Sequence, residues 1–220
     1  MTTFIFLRHA ESIANVEGIL AGRLPGTYLS KKGEKQARTL PLFIQRLTID
    51  RIVTSPLERC LQTVEPTAKM LHKRVEKDPS FIEMDYGKWS GKYLKDLRKE
   101  SGWKVIQKRP SQFTFPQGES FTSAARRVER QLNKIAQKFP NKRILIVTHG
   151  DIIKLAAAKA LNMEIDDFQR IIIDPCSLTV IDWSKSQRTL MQLNLPTSQS
   201  RVRRISSLKN RRVIGGGSGV

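Results

Sequence analysis

Short uninterrupted apolar runs alternate along this chain with longer segments in which apolar residues recur every three or four positions. Phe4-Ile5-Phe6-Leu7 is such a run, too short for a helix, and predicts a strand buried on both faces. Arg143–Thr148 (RILIVT) is the clearest second case; residues 50–54 and 74–77 predict shorter strands. Ser30 reads as an N-cap before a helix carrying Ala37, Leu40 and Ile44 on one face, kinked at Pro41. A second helix is expected over about residues 57–72, interrupted at Pro66. Phe121, Ala125, Val128, Leu132, Ile135 and Phe139 mark a long amphipathic helix whose stripe is ordinary core. Asp151 is expected to cap a helix over residues 152–161, and residues 177–182 and 190–195 predict a hairpin-like sheet edge. Between these lie a Gly- and aromatic-rich turn region (80–92), a basic helix near 93–101 and an irregular stretch (110–118).

Strands alternating with helices imply a three-layer α/β/α sandwich, with a mostly parallel central sheet and helices on both faces. The predicted organisation is one domain over residues 1–196, including a helical or irregular insert at about 86–120. A basic Gly/Ser-rich tail, 197–220, is read as flexible.

Composition narrows the class. No apolar run approaches the roughly 18 residues a membrane span requires, and no basic leader precedes an apolar region, so neither membrane nor signal peptide is expected. Two cysteines make no disulfide framework, which favours a cytoplasmic setting. The formal net charge is +19; eight basic residues follow the last acid, Asp182, and removing them leaves +11 on the first 183 residues. Such a surplus favours anionic partners, either small phosphorylated substrates or nucleic acid.

Four segments carry candidate chemistry. Arg8-His9 ends the first strand; Arg59, in Ser55–Thr63, sits on a first helical turn after a strand; Glu83 lies in FIEMDYGKWSG; His149-Gly150 ends RILIVT. Two histidines, two arginines and a carboxylate at strand ends suit phosphoryl transfer to nitrogen. A neutral imidazole attacks phosphorus, fork-shaped guanidinium donors hold the equatorial oxygens, and a carboxyl group protonates the leaving alkoxide and then serves as base toward water. A charged His149 would add a donor. Glu83 is the candidate acid, with a pKa expected to be raised by burial near Tyr86 and Trp89; Glu58, Asp85 and Glu119 stay open as alternatives, and Glu119 also reads as a helix N-terminal charge.

These segments resemble the blocks of the histidine phosphatase (phosphoglycerate mutase-like) superfamily: LRHAES-x-x-N, SPLERCLQT, E-x-x-Y-G-x-W-x-G and VTHGD, in that order over about residues 2–195. Ala10 stands where the family commonly has glycine. The resemblance implies that His9 is phosphorylated, that Glu83 donates the proton, and that Arg8, Arg59 and His149 bind phosphate, with Asn15 helping and Gly150 beside His149. It implies a metal-independent phosphatase acting on a small phosphorylated metabolite, with no cofactor.

Competing patterns are weaker. No His-x-His or Cys-x-x-Cys spacing suggests a metal, and neither Cys60 nor Cys176 has an arginine six positions on, as a cysteine phosphatase would. GKWSGKY is too short for a phosphate-binding loop. Residues 88–115 interleave Lys and Arg with Trp89, Tyr93 and Trp103; a substrate-capping segment is favoured there over nucleic-acid binding. A phosphoglycerate-type mutase is the alternative on the same residues, although only 65 residues separate Glu83 from His149, a short insert for a mutase. A non-catalytic basic binding module is the second alternative. A homodimer is compatible with the sequence.

Overall fold

The computed structural model describes residues 1–197. Six strands are present among the described residues: β1 (Thr2–Arg8), β2 (Arg51–Thr54), β3 (Val75–Lys77), β4 (Arg143–Thr148), β5 (Ser177–Trp183) and β6 (Arg188–Pro196). They form one sheet in the order β3-β2-β4-β1-β5-β6, parallel from β3 through β1, with β5 antiparallel to both its neighbours.

Strand alternation splits the core in two. Phe4 and Phe6 of β1, Val53 of β2, and Ile144 and Ile146 of β4 face one cluster. Ile5, Leu7, Ile52, Leu145 and Val147 face the other. Seven α-helices occur among the described residues: α1 (Ile13–Glu17), α2 (Lys31–Ile44), α3 (Glu58–Met70), α4 (Leu94–Leu97), α5 (Ser101–Lys108), α6 (Phe121–Lys138) and α7 (Gly150–Ala160); α2 to α7 cover these faces. Ala37, Leu40 and Ile44 of α2 join Cys60, Val64 and Ala68 of α3 on the second face. Helices α4 to α7 cover the first through Leu97, Ile106, Leu132 and Ile153, among others. Double coverage explains why the parallel strands read as continuous apolar runs rather than alternating ones.

The strand order places the chemistry. Because β2, β4 and β1 are adjacent and parallel, their carboxyl ends lie side by side at one edge. His9 N–H donates to the Thr148 carbonyl at 2.9 Å and Ser55 N–H to the Val147 carbonyl at 2.9 Å, which locks the three strand ends in register.

Ser30 caps α2 as expected, its hydroxyl accepting from Gly33 N–H. Gly33 is where that helix meets the loop after β1: a Cβ there would lie 1.9 Å from the Glu11 carbonyl oxygen. Gly33→Ala is therefore expected to lower stability by about 1–3 kcal/mol through overpacking, read as a lower urea midpoint at unchanged m-value.

Several local expectations are corrected. Helix α3 runs through Pro66, since one missing hydrogen bond is outweighed by burial of Cys60, Val64 and Ala68 on its inner face. His149, not Asp151, is the N-cap of α7; Asp151 is fully buried in the first turn, where its carboxylate accepts from the Tyr86 hydroxyl at 2.8 Å. The basic stretch after Lys92 forms two short helices, α4 and α5, rather than one. Trp89 and Trp103 are buried and stacked on each other, with ring centroids 6.5 Å apart, so of the three aromatics read as interleaved with cations only Tyr93 is exposed. Among the described residues no helix is long and apolar enough to cross a membrane. The tail beyond Thr197 lies outside the described residues.

Candidate active site

Arg8 and His9 leave β1 already buried, with 1% and 3% of their surfaces exposed. The Arg8 guanidinium donates to the Ile173 carbonyl at 2.7 Å. His9 Nδ1 faces the Ala10 carbonyl oxygen at 2.7 Å; a carbonyl can only accept, so that nitrogen carries the proton and Nε2 keeps its lone pair. Burial, reinforced by the charges of Arg59 and Arg8, pushes the His9 imidazole well below its ordinary pKa and keeps it neutral.

Arg59, in the first turn of α3, joins the two histidines. Its Nε donates to His9 Nε2 at 3.3 Å, and its Nη2 to the Gly22 carbonyl at 2.9 Å and to His149 Nδ1 at 3.1 Å. Its Nη1 is buried without a hydrogen-bond partner among the described residues. A guanidinium only donates, so the His149 proton sits on Nε2, 2.8 Å from the Ser55 hydroxyl oxygen. The two imidazole rings lie edge to face with centroids 5.3 Å apart. Burial and then Arg59 hold the His149 pKa well below its ordinary value, so the ring is neutral here, whereas the sequence reading gave it a charged form.

Glu83 is buried, its Oε1 accepting from Met84 N–H at 3.0 Å and its Oε2 lying 3.9 Å from His149 Nδ1. Burial pushes its pKa from 4.5 up to about 7, and Asp151 adds to the rise while Arg59 and Arg8 oppose it. The expected direction and its main cause, burial, are both present.

A cavity of about 840 Å³ opens over these groups, with Arg8, His9, Arg59, Glu83 and Asn15 in its wall. His149 and Gly150 lie beneath the wall rather than in it. Asn15 Oδ1 is occupied by the N–H and hydroxyl of Ser12 in the cap of α1, which leaves the amide nitrogen for a ligand. The rim comes from Tyr93, Leu94, Lys95 and Arg98 of the insert.

Some contributors escaped sequence reading. Ser55 and Asp151 sit inside quoted motifs and could have been singled out there. The Gly22 carbonyl, which steers Arg59, has no sequence signal at all. His72 and Glu58 are not in the cavity wall.

Comparisons with known proteins agree on one family. The model of the histidine phosphatase superfamily (branch 1) matches residues 4–196. The chain is 30% identical to phosphoserine phosphatase 1 of Hydrogenobacter thermophilus, over 89% of this chain and 93% of that one. It is 28% identical to an adenosylcobalamin/alpha-ribazole phosphatase of Escherichia coli, over 86% and 93% respectively. Among solved structures, YhfR of Bacillus stearothermophilus superposes with a TM-score of 0.82 at 23% identity, over 89% of this chain and 98% of that one, a likeness of fold.

Proposed function

The chain belongs to the histidine phosphatase superfamily, branch 1, and from that premise we propose that it is a metal-independent phosphomonoesterase working through a phosphohistidine on His9. The observation that carries this reading is the His9 tautomer: Nδ1–H is held by the Ala10 carbonyl, so the Nε2 lone pair stands in the cavity wall beside Arg59.

In the first step Nε2 attacks phosphorus, the phosphorus–oxygen bond to the leaving group breaks, and the leaving oxygen takes the proton of the Glu83 carboxyl. In the second step the Glu83 carboxylate removes a proton from water, the water oxygen attacks phosphorus, and the phosphorus–nitrogen bond breaks to return neutral His9 and free phosphate. Arg8 and Arg59 hold the charge on the transferring oxygens, and the partnerless Nη1 of Arg59 is the donor already available for one of them. A Glu83 pKa of about 7 fits a group that must be acid and then base near neutrality. His149 stands behind Arg59 and keeps it oriented, its Nδ1 accepting from Arg59 Nη2.

The substrate is a small phosphomonoester with a second anionic group. Lys95 and Arg98 support this: both are exposed on the cavity rim and in no ion pair among the described residues. Phosphoserine, the compound in the name of the Hydrogenobacter relative, pairs a phosphomonoester with a carboxylate and is the first to test; alpha-ribazole phosphate, without a carboxylate, is the contrast. A phosphomonoester panel in chelator-containing buffer should show hydrolysis that survives metal removal. The double change Lys95→Ala, Arg98→Ala should raise KM for carboxylated substrates about 10-fold while leaving p-nitrophenyl phosphate unaffected, as loss of rim charges weakens ground-state binding. Loss of hydrolysis on chelation, or equal effects on both substrates, would contradict the reading. Of residues 86–120, Tyr86, Tyr93, Leu94, Lys95 and Arg98 then face the substrate, while Trp89, Trp103, Ile106 and Phe115 anchor the segment in the core.

A further inference from the structure

The segment carrying Glu83 is gripped by three charged side chains that take no part in the steps above. Glu119 immediately precedes the N-cap of α6, Arg127 lies on the second turn of that helix, and Arg23 comes from the loop after α1. One oxygen of Glu119, Oε1, accepts from Arg23 Nη2 at 3.0 Å, Arg127 Nη2 at 2.7 Å and Asp85 N–H at 3.0 Å. The two guanidinium groups then reach the backbone around the acid. Arg23 Nε donates to the Glu83 carbonyl at 2.9 Å, and Arg127 Nη1 to the carbonyls of Ser80 at 2.7 Å and Ile82 at 3.1 Å. Glu119 N–H closes the ring on the Asp85 carbonyl at 2.9 Å.

The fit behind this ring is tight. A Cβ on Gly118 would lie 2.3 Å from the Asp85 carbonyl oxygen, and one on Gly87 would lie 2.1 Å from the Pro116 carbonyl oxygen. Segments 116–119 and 85–87 therefore meet backbone to backbone. The Glu83 carboxyl takes its position from the same backbone, since its Oε1 is bonded to Met84 N–H. Any shift of residues 82–85 carries the carboxyl with it. Arg23 also follows Gly22, whose carbonyl holds Arg59, so one loop references the acid and the phosphate-facing guanidinium to each other.

We infer that Glu119 is a positioning residue: with Arg23 and Arg127 it fixes the backbone from which Glu83 delivers its proton. The inference rests on Glu83 being the acid. It also removes Glu119 as a rival acid, because its Oε1 is fully engaged and its side chain is outside the cavity wall.

The test separates positioning from general support of the fold by varying the leaving group. An alkyl phosphate such as β-glycerophosphate expels a strongly basic alkoxide and depends on the acid, whereas p-nitrophenyl phosphate expels a stable phenolate and depends on it little. The quantity to compare is kcat/KM, which reports the first transfer and not dephosphorylation. Glu119→Ala should depress β-glycerophosphate hydrolysis about 10- to 100-fold more than that of p-nitrophenyl phosphate, the scale expected when an acid is displaced by about 1 Å. Glu119→Gln keeps a carbonyl acceptor and should recover most of that difference.

Arg23→Ala, at a one-third exposed side chain, repeats the measurement should Glu119→Ala fail to fold. Equal losses on both substrates in the folded variants would overturn the inference and leave Glu119 a structural residue. Glu83→Gln, run in parallel, distinguishes the two levels. If it is selective for the alkyl phosphate and the Glu119 and Arg23 variants are not, the acid assignment stands and the positioning role falls. If Glu83→Gln is itself unselective, both fall.

Discussion

Replacing His9 by alanine is expected to lower kcat/KM by about 10⁴-fold or more on every phosphomonoester, equivalent to about 5.5 kcal/mol of transition-state stabilisation. Removal of the attacking nitrogen ends the covalent route, and what remains is attack by water in a cationic pocket. Phosphate binding should survive the change. Arg8 stays tied to the Ile173 carbonyl, and Arg59 keeps its bonds to the Gly22 carbonyl and to His149 when its contact with the His9 ring is lost. Calorimetric titration with inorganic phosphate should therefore give an affinity near that of the wild type beside a collapsed turnover. A variant that loses both would point to His9 as a binding residue, and one that keeps turnover would remove it from the chemistry.

The second large effect is expected at Glu83. Glutamine there should cut kcat/KM for alkyl phosphates by about 10²–10⁴-fold, the usual worth of a positioned general acid. The pH profile carries the signature. With Glu83 held at about 7 and His9 neutral well below its ordinary pKa, wild-type kcat/KM should be sustained on the acid side of neutrality and fall as pH rises through about 7. In the glutamine variant that alkaline limb should vanish. A limb that persists unchanged would assign it to another group.

Stability moves in a linked way. A carboxyl whose folded pKa is raised binds its proton more tightly in the folded state, so ionisation destabilises the fold as pH climbs from 4.5 to about 7. Above that window Glu83→Gln should be more stable than the wild type by about 3 kcal/mol, measured by denaturant melts at pH 8. At pH 4 the two should be close. The exchange of stability for reactivity is what a buried ionisable group at a working site entails.

Much of this was legible in the chain because burial leaves local traces. Strands β1 and β4 are covered on both faces, so each reads as an unbroken apolar run ending in a polar pair, Arg8-His9 and Thr148-His149. Helix α6 shows its inner stripe because it is half-exposed; Ala125 packs partly buried against the core, and Ala124 beside it is buried completely. What joins these pieces was not local. The insertion of β4 between β1 and β2 brings three strand ends together, and strand order has no signature in any one segment.

Polar residues were the hardest to place. Asp151 after a strand reads as a helix cap, yet Tyr86 and Lys154 make a buried partner set for it that only the fold assembles. Arg23, Glu119 and Arg127 are spread over about a hundred residues of sequence and meet at one oxygen atom, so no periodicity could announce them. The tryptophans of the insert misled in the opposite direction: surrounded by lysines in sequence, they belong to the core.

Catalysis as proposed requires phosphorus to become bonded to one imidazole nitrogen, Nε2 of His9. Rapid chemical quench during turnover of p-nitrophenyl phosphate, followed by peptide mapping under alkaline conditions, reads that bond directly. The expected result is a burst of p-nitrophenolate that does not exceed the enzyme concentration, with an acid-labile phosphoryl group on the peptide carrying His9. Phosphoryl found on another side chain, or nitrophenolate and phosphate appearing together at all times with no labelled peptide, would contradict it.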